Sequence, residues 1–185
     1  VLRPPSSHPL SMLPKEHRMR ILLASALIAL AVLPHSVLAE TLSVPGGPVV
    51  LTVSGSITNT NIEQTAQFDL AMLDALAQHT TVTETPWYDG EQTFSGPLAA
   101  ALLQAVGAEG SVVTVTALNG YSAEIPLTDF LESPVIFASR LNGEVFSVRD
   151  KGPLFVVYPF DAKPDLYNEV YFGRSVWQVN AISVQ

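Results

Sequence analysis

The stretch TVTALNGYSAEIP, residues 114–126, is where the fold becomes readable. Val115 and Ala117, with Val113 just before, alternate with Thr114 and Thr116, which is the period of a half-buried strand. Asn119-Gly120 then breaks the alternation. Both residues accept positive φ at the centre of a tight turn, so the pair predicts a hairpin. A second Asn-Gly pair at 142–143 is flanked by extended runs in the same way. Tyr121 stands directly on the first turn. As an amphipathic aromatic it is of the kind that covers the edge of the core on a surface hairpin.

Upstream, Leu98, Leu102, Leu103 and Val106 form one helical stripe, with Ser95 or Gly96 as cap, Pro97 in the first turn and Gly107 at the end. Trp87-Tyr88-Asp89-Gly90 reads as a turn, and residues 80–85 are β-branched and extended as far as Pro86. Earlier still, Pro45-Gly46-Gly47-Pro48 is a stiff opening before a strand at 49–57 and a polar loop at 58–67. Asp69 is placed to cap a short helix carrying Leu70, Leu73 and Leu76. Downstream come a helical turn at 127–131, a buried strand at 154–158 ending at Pro159, a polar loop at 160–173 and a strand at 175–184. Strands outnumber helices and many adjoin through tight turns. The expectation is an α+β fold with a mixed, mostly antiparallel sheet and a few short helices.

The first 39 residues read differently. Residues 21–33, ILLASALIALAVL, are uncharged, follow Lys15, Arg18 and Arg20, and are broken by Pro34. With Val37-Leu38-Ala39 behind them, they describe a signal peptide over 19–39 cleaved after Ala39. The run falls short of the ~20 residues that span a bilayer, so no membrane insertion is expected after cleavage. Residues 1–18 carry four prolines and no periodicity, which predicts an unstructured or untranslated upstream segment; Met12 and Met19 are both candidate starts. The folded unit is then a single domain over 40–185, periplasmic or secreted.

Over 40–185 five bases face sixteen acids, a formal charge of −11. Such a field repels phosphate backbones and excludes nucleic acid as a partner. There is no cysteine, so the domain rests on its core rather than on disulfides. His79 is the only histidine in this part, which rules out a metal site built from His and Cys.

The order of motifs is itself informative. A Gly-Pro-initiated helix leads to VTVTALNGYSAEIP, then VIFASRLNGEVF, KGPLFVVYP and RSVWQVNAISV. This set resembles the oxidoreductase molybdopterin-binding domain of the sulfite oxidase family, especially short exported members that carry the domain alone. The likeness runs from about residue 49 to 184. It implies that the corner at Asn119-Gly120-Tyr121 lies on the cofactor side, with Tyr121 toward the pterin or its groove, and it implies molybdopterin as cofactor. In that family a cysteine thiolate ligates molybdenum between the first helix and the Gly-Pro helix. The corresponding stretch here is TTVTETPW, residues 80–87, and neither Thr83 nor Glu84 replaces a soft thiolate. Lys151 stands where the family tends to place a His, and Val176 where it often has a Lys. The missing thiolate points to no bound cofactor.

Four bases, Arg140, Arg149, Lys151 and Arg174, fall on the later strands and turns. Arg offers a planar fork and Lys a point charge for an anion. The competing account is local pairing, as of Arg149 with Asp150. Trp87 would stand at the groove where the family's ligand sits; Trp177, between valines in a strand, reads as core. The residues assigned to a pterin-like or small anionic ligand are therefore Trp87, Asn119, Tyr121, Arg149, Lys151 and Arg174. His79 reads as a solvated residue near a helix end. Asp89 and Glu91 form a candidate acid/base pair, or simply hydrated neighbours. The expected function is an exported ligand-binding or accessory, sensory domain without molybdenum redox chemistry, with a periplasmic membrane sensor as another partner. The alternative is an active molybdopterin-dependent oxidoreductase that holds its cofactor through non-cysteine contacts.

Overall fold

The first and last strands lie side by side. In the computed structural model, which describes residues 42–185, β1 (Val49–Gly55) pairs in parallel with β11 (Val179–Val184), Thr52 opposite Ala181 and Gly55 opposite Val184. They belong to a five-stranded sheet ordered β2-β1-β11-β5-β6, with β2 at Ala66–Asp69, β5 at Val112–Ala117 and β6 at Ser122–Pro126. All its other pairs are antiparallel. A second sheet joins β3 (Gln78–Thr85), β4 (Tyr88–Pro97), β8 (Arg140–Leu141) and β9 (Glu144–Val145), and β7 (Ile136–Ala138) pairs with β10 (Phe155–Val157). With α1 (Leu70–Asp74), α2 (Ala99–Ala105), α3 (Leu127–Glu132) and α4 (Glu169–Arg174), the fold is α+β and mostly antiparallel. The leader and its cleavage point lie outside the described residues. Among the described residues no helix is long and apolar enough to cross a membrane.

Alternation in β5 is expressed as expected, with Val113, Val115 and Ala117 turned inward. Asp69 caps α1, its Oδ1 accepting from Met72 N at 2.8 Å. Its Oδ2 also accepts from Gly46 N and Gly47 N, both at 2.8 Å, so one carboxylate ties the opening turn to the helix. These backbone donors, Met72 first, hold its pKa below the ordinary 3.8.

Three expectations are corrected. Ser95, Gly96 and Pro97 do not cap a helix; they end β4, opposite Thr80, His79 and Gln78. The reason is tertiary. The β7 backbone crosses Gly96 so closely that a Cβ there would clash with Phe137 O, so the glycine serves a strand contact. α2 starts later, after Leu98, without a side-chain cap. The turn before β4 is Pro86-Trp87 alone, and His79, Asp89 and Glu91 are strand residues. The polar stretch 160–173 is not all loop, since it holds a 3-10 turn at Pro164–Leu166 and α4, whose N-cap Asn168 accepts from Val170 N at 3.0 Å. Elsewhere the bounds shift slightly: β1 stops at Gly55, Ala66 and Gln67 join β2, and the last strand begins at Val179.

Buried side chains form two clusters. The larger joins the five-stranded sheet to α1, α2 and α3 through Leu51, Phe68, Leu73, Leu102, Val115, Phe130 and Ile182. The smaller holds Phe94, Ile136, Ala138, Phe146, Phe155 and Val157. Trp87 packs against both.

Candidate functional site

Pro86 keeps Thr85 extended and sets up the two-residue turn that puts Trp87 at the tip of the β3–β4 hairpin. From there the indole reaches between the clusters. Its ring centroid lies 5.4 Å from Phe155, 5.6 Å from Trp177 and 5.9 Å from Phe172, at interplanar angles of 72°, 68° and 80°. Edge-to-face rings of this kind attract beyond their area burial. Trp87, Phe172 and Trp177 also form the corner of a cavity of about 380 Å³, completed by Ala117, Asn119, Tyr121, Glu169, Gly173, Ser175 and Val176. That volume falls in the ~300–1,000 Å³ range of small-molecule sites.

Tyr121 reaches its place through the turn before it. The two Asn-Gly pairs fold differently. At 142–143 both residues have positive φ, +51° and +89°, in a two-residue loop between Leu141 and Glu144. At 119–120 only Gly120 is left-handed, at φ +84°. Gly120 N donates to Ala117 O and Ala117 N to Tyr121 O, both at 2.9 Å, which describes a type I turn closed by a glycine bulge. The extra residue turns Tyr121 to the cavity side. Tyr121 N donates to Asn119 Oδ1 at 2.9 Å, and its hydroxyl donates to Gly173 O, also at 2.9 Å. Tyr121 thus straps the hairpin to α4 while remaining 51% exposed.

Trp177 is not a core residue; it is 37% exposed and lines the cavity. Gln178, at φ +56°, breaks the alternation just before β11 and re-aims the preceding indole. Nothing in a glutamine announces that conformation. Glu169 and Phe172 fall in the stretch 160–173 that reads as a polar loop, and Ser175 where the sequence predicts the start of a strand, so none of the three stands out as a site residue. Asn168-Glu169, an N-cap followed by an acid, was the available signal.

Of the assigned residues, Trp87, Asn119 and Tyr121 line this one cavity, whereas Arg149, Lys151 and Arg174 do not. Arg174 Nη1 donates to Asp129 Oδ2 at 2.8 Å, and its guanidinium lies 5.3 Å from the Tyr171 ring centroid. Tyr158, fully buried, donates its hydroxyl to the same Oδ2 at 2.9 Å. Burial first, then the Asp129 charge, pushes the Tyr158 pKa far up, so the phenol stays protonated. Lys151 Nζ stands 4.4 Å from the Tyr88 ring centroid and 6.0 Å from Trp177. Burial raises the Tyr88 pKa, and Asp150 adds to it. Arg149 sits in the exposed 3-10 turn Val148–Asp150 without an ion pair among the described residues. Arg140 forms a fork on Asp74, 2.7 Å to each oxygen, and this contact lowers the Asp74 pKa and raises that of Arg140.

The fold and this cavity define a small α+β domain with an aromatic-walled concave site. The family model described as oxidoreductase molybdopterin binding domain matches residues 50–184, and the chain belongs to that family. No curated protein matches the chain. The family is one of molybdopterin-binding domains, so the cavity is measured against that group. Its donors do not fit the metal. The chain has no cysteine, and among the described residues no three His, Cys, Asp or Glu side chains cluster as metal ligands. Thr83, in the stretch where the family's thiolate would stand, is fully buried. Its hydroxyl accepts from Asp161 N at 3.1 Å and donates to Glu84 O at 3.2 Å. The lining also presents Glu169 and no base to a phosphate.

Proposed function

We propose that this member of the molybdopterin-binding family binds a small ligand in the cavity at Trp87 and runs no molybdenum redox cycle. The observation behind this reading is the wall itself: it presents aromatic rings, hydroxyls and one carboxylate but no soft donor, and the chain has no cysteine to supply one. Family membership carries the fold, and activity depends on the site's own donors. The ligand-binding role is accessory or sensory, exercised outside the cytoplasm after removal of the leader, with the mature chain beginning at or near Glu40.

Elemental analysis, pterin fluorescence and N-terminal sequencing of protein taken from its natural compartment test this together. The expected result is molybdenum far below one per chain and a terminus near Glu40. Stoichiometric molybdenum with a charge-transfer absorption would instead establish an oxidoreductase that holds its cofactor without cysteine. An intact leader on membrane-bound protein would overturn the export proposal.

A further inference from the structure

We infer that the cavity at Trp87 selects a small organic cation, an amine or quaternary ammonium group carried on an apolar body. This rests on reading the cavity as a ligand site, and it reverses the anion preference expected from the sequence. The only acidic side chain in the lining is Glu169, and no base lines it. The bases of residues 40–185 are engaged elsewhere or stand apart. Arg140 is on Asp74, Arg174 on Asp129, and Lys163 donates to Glu132 O and Ser133 Oγ at 2.7 and 2.8 Å. Arg149 lies in the exposed 3-10 turn outside the cavity.

Aromatic faces supply the attraction. Trp87 meets Trp177 and Phe172 at 68° and 80°, so its ring stands steeply inclined to each of the other two, as adjoining walls around a compact group do. Each face carries negative quadrupole, strongest for indole, and a cation within about 6 Å of the centroid is held by it. The protein already uses this aromatic seam in that way. The Lys151 ammonium rests 4.4 Å from Tyr88 and 6.0 Å from Trp177, just outside the lining. A ligand cation would have Glu169 as its counter-charge and the −11 field of residues 40–185 to draw it in. Lys151 then acts as a nearby like charge that weakens cation binding.

The test uses the chain's own reporters, because its only two tryptophans, Trp87 and Trp177, both line the cavity. Tryptophan emission of the domain is titrated with benzyltrimethylammonium, benzyl alcohol and benzoate at matched ionic strength. These probes share a ring and differ in charge. The cation is expected to bind saturably and about tenfold more tightly than the alcohol, with benzoate weakest. Glu169→Gln should weaken the cation by about fivefold, and Lys151→Met should strengthen it by about two- to fivefold, with circular dichroism unchanged in both. If benzoate binds best, or if Lys151→Met loses binding while Glu169→Gln gains it, the cation assignment is wrong and the ligand cavity stands. Equal binding of cation and alcohol also overturns the assignment. If none of the three probes changes the emission saturably, both the assignment and the ligand-site reading fall.

Discussion

The two flanks of α4 put the same residue types to opposite uses. On one flank Glu169 and Phe172 join Trp87 and Trp177 around an open cavity. On the other, Tyr171 and Arg174 close with Tyr158 and Asp129 into a polar clasp. Both flanks are aromatic and both hold a charge. They differ in whether that charge is already met. Arg174 is paired at 2.8 Å and its side chain is 23% exposed, whereas Glu169 is exposed with no salt bridge among the described residues. A charged side chain becomes available to a ligand only where the fold has not already matched it.

The largest effect expected is on the open flank. Trp87→Ala removes the side chain that packs against both clusters, and should cost about 3 kcal/mol in chemical denaturation, the low end for truncating a large aromatic because Trp87 is only partly buried. Trp87→Phe should keep most of that stability. If Trp87→Ala costs under about 1 kcal/mol, the indole is not the link between the clusters.

On the closed flank Arg174→Ala should destabilise by about 2–3 kcal/mol, since it leaves Asp129, 11% exposed, with only the Tyr158 hydroxyl. The figure is kept below that of a fully buried pair because Arg174 is partly solvated. Arg149→Ala, in the exposed turn, should change stability by less than about 0.5 kcal/mol. Equal losses for the two arginines would erase the distinction between an engaged base and a free one.

The smallest effect near neutrality is the pH dependence, and it lies outside both flanks. Asp69 and Asp74 have folded pKa values lowered below the ordinary 3.8. The stability they contribute is fully present above that value and is lost as pH falls through the lower folded values. Thermal midpoints should therefore be flat from about pH 7 to 5 and drop below about pH 4. Asp69→Asn should make that acid drop shallower. A midpoint that rises on acidification would contradict the backbone clamp on Asp69.

Local pattern was enough wherever a residue's role depended on near neighbours. Asp69 as a cap, the alternation of β5, the α2 stripe and both Asn-Gly hairpins were legible because caps, periods and turns act over a few residues. β4 was not, because its only strand signals lie across from it: Phe94 opposite Thr81 and Gly96 under the β7 backbone. Of the candidate site, Trp87, Asn119 and Tyr121 were named from sequence, while Glu169, Phe172 and Trp177 were missed.

By itself the sequence determined what this chain has to work with: an acidic domain with no cysteine, one histidine and five bases over residues 40–185, and strands and helices in an order that marks its family. Composition sets these limits because no fold can supply a thiolate that the chain lacks. Tertiary structure alone decided which charges are already paired. It set Arg174 against Asp129, 45 residues away, and Arg140 against Asp74, 66 away, while Gln178 turned Trp177 out of the core. Those outcomes depend on which distant segments meet. Burial and electrostatic pairing act through space, so no local window of the sequence contains them.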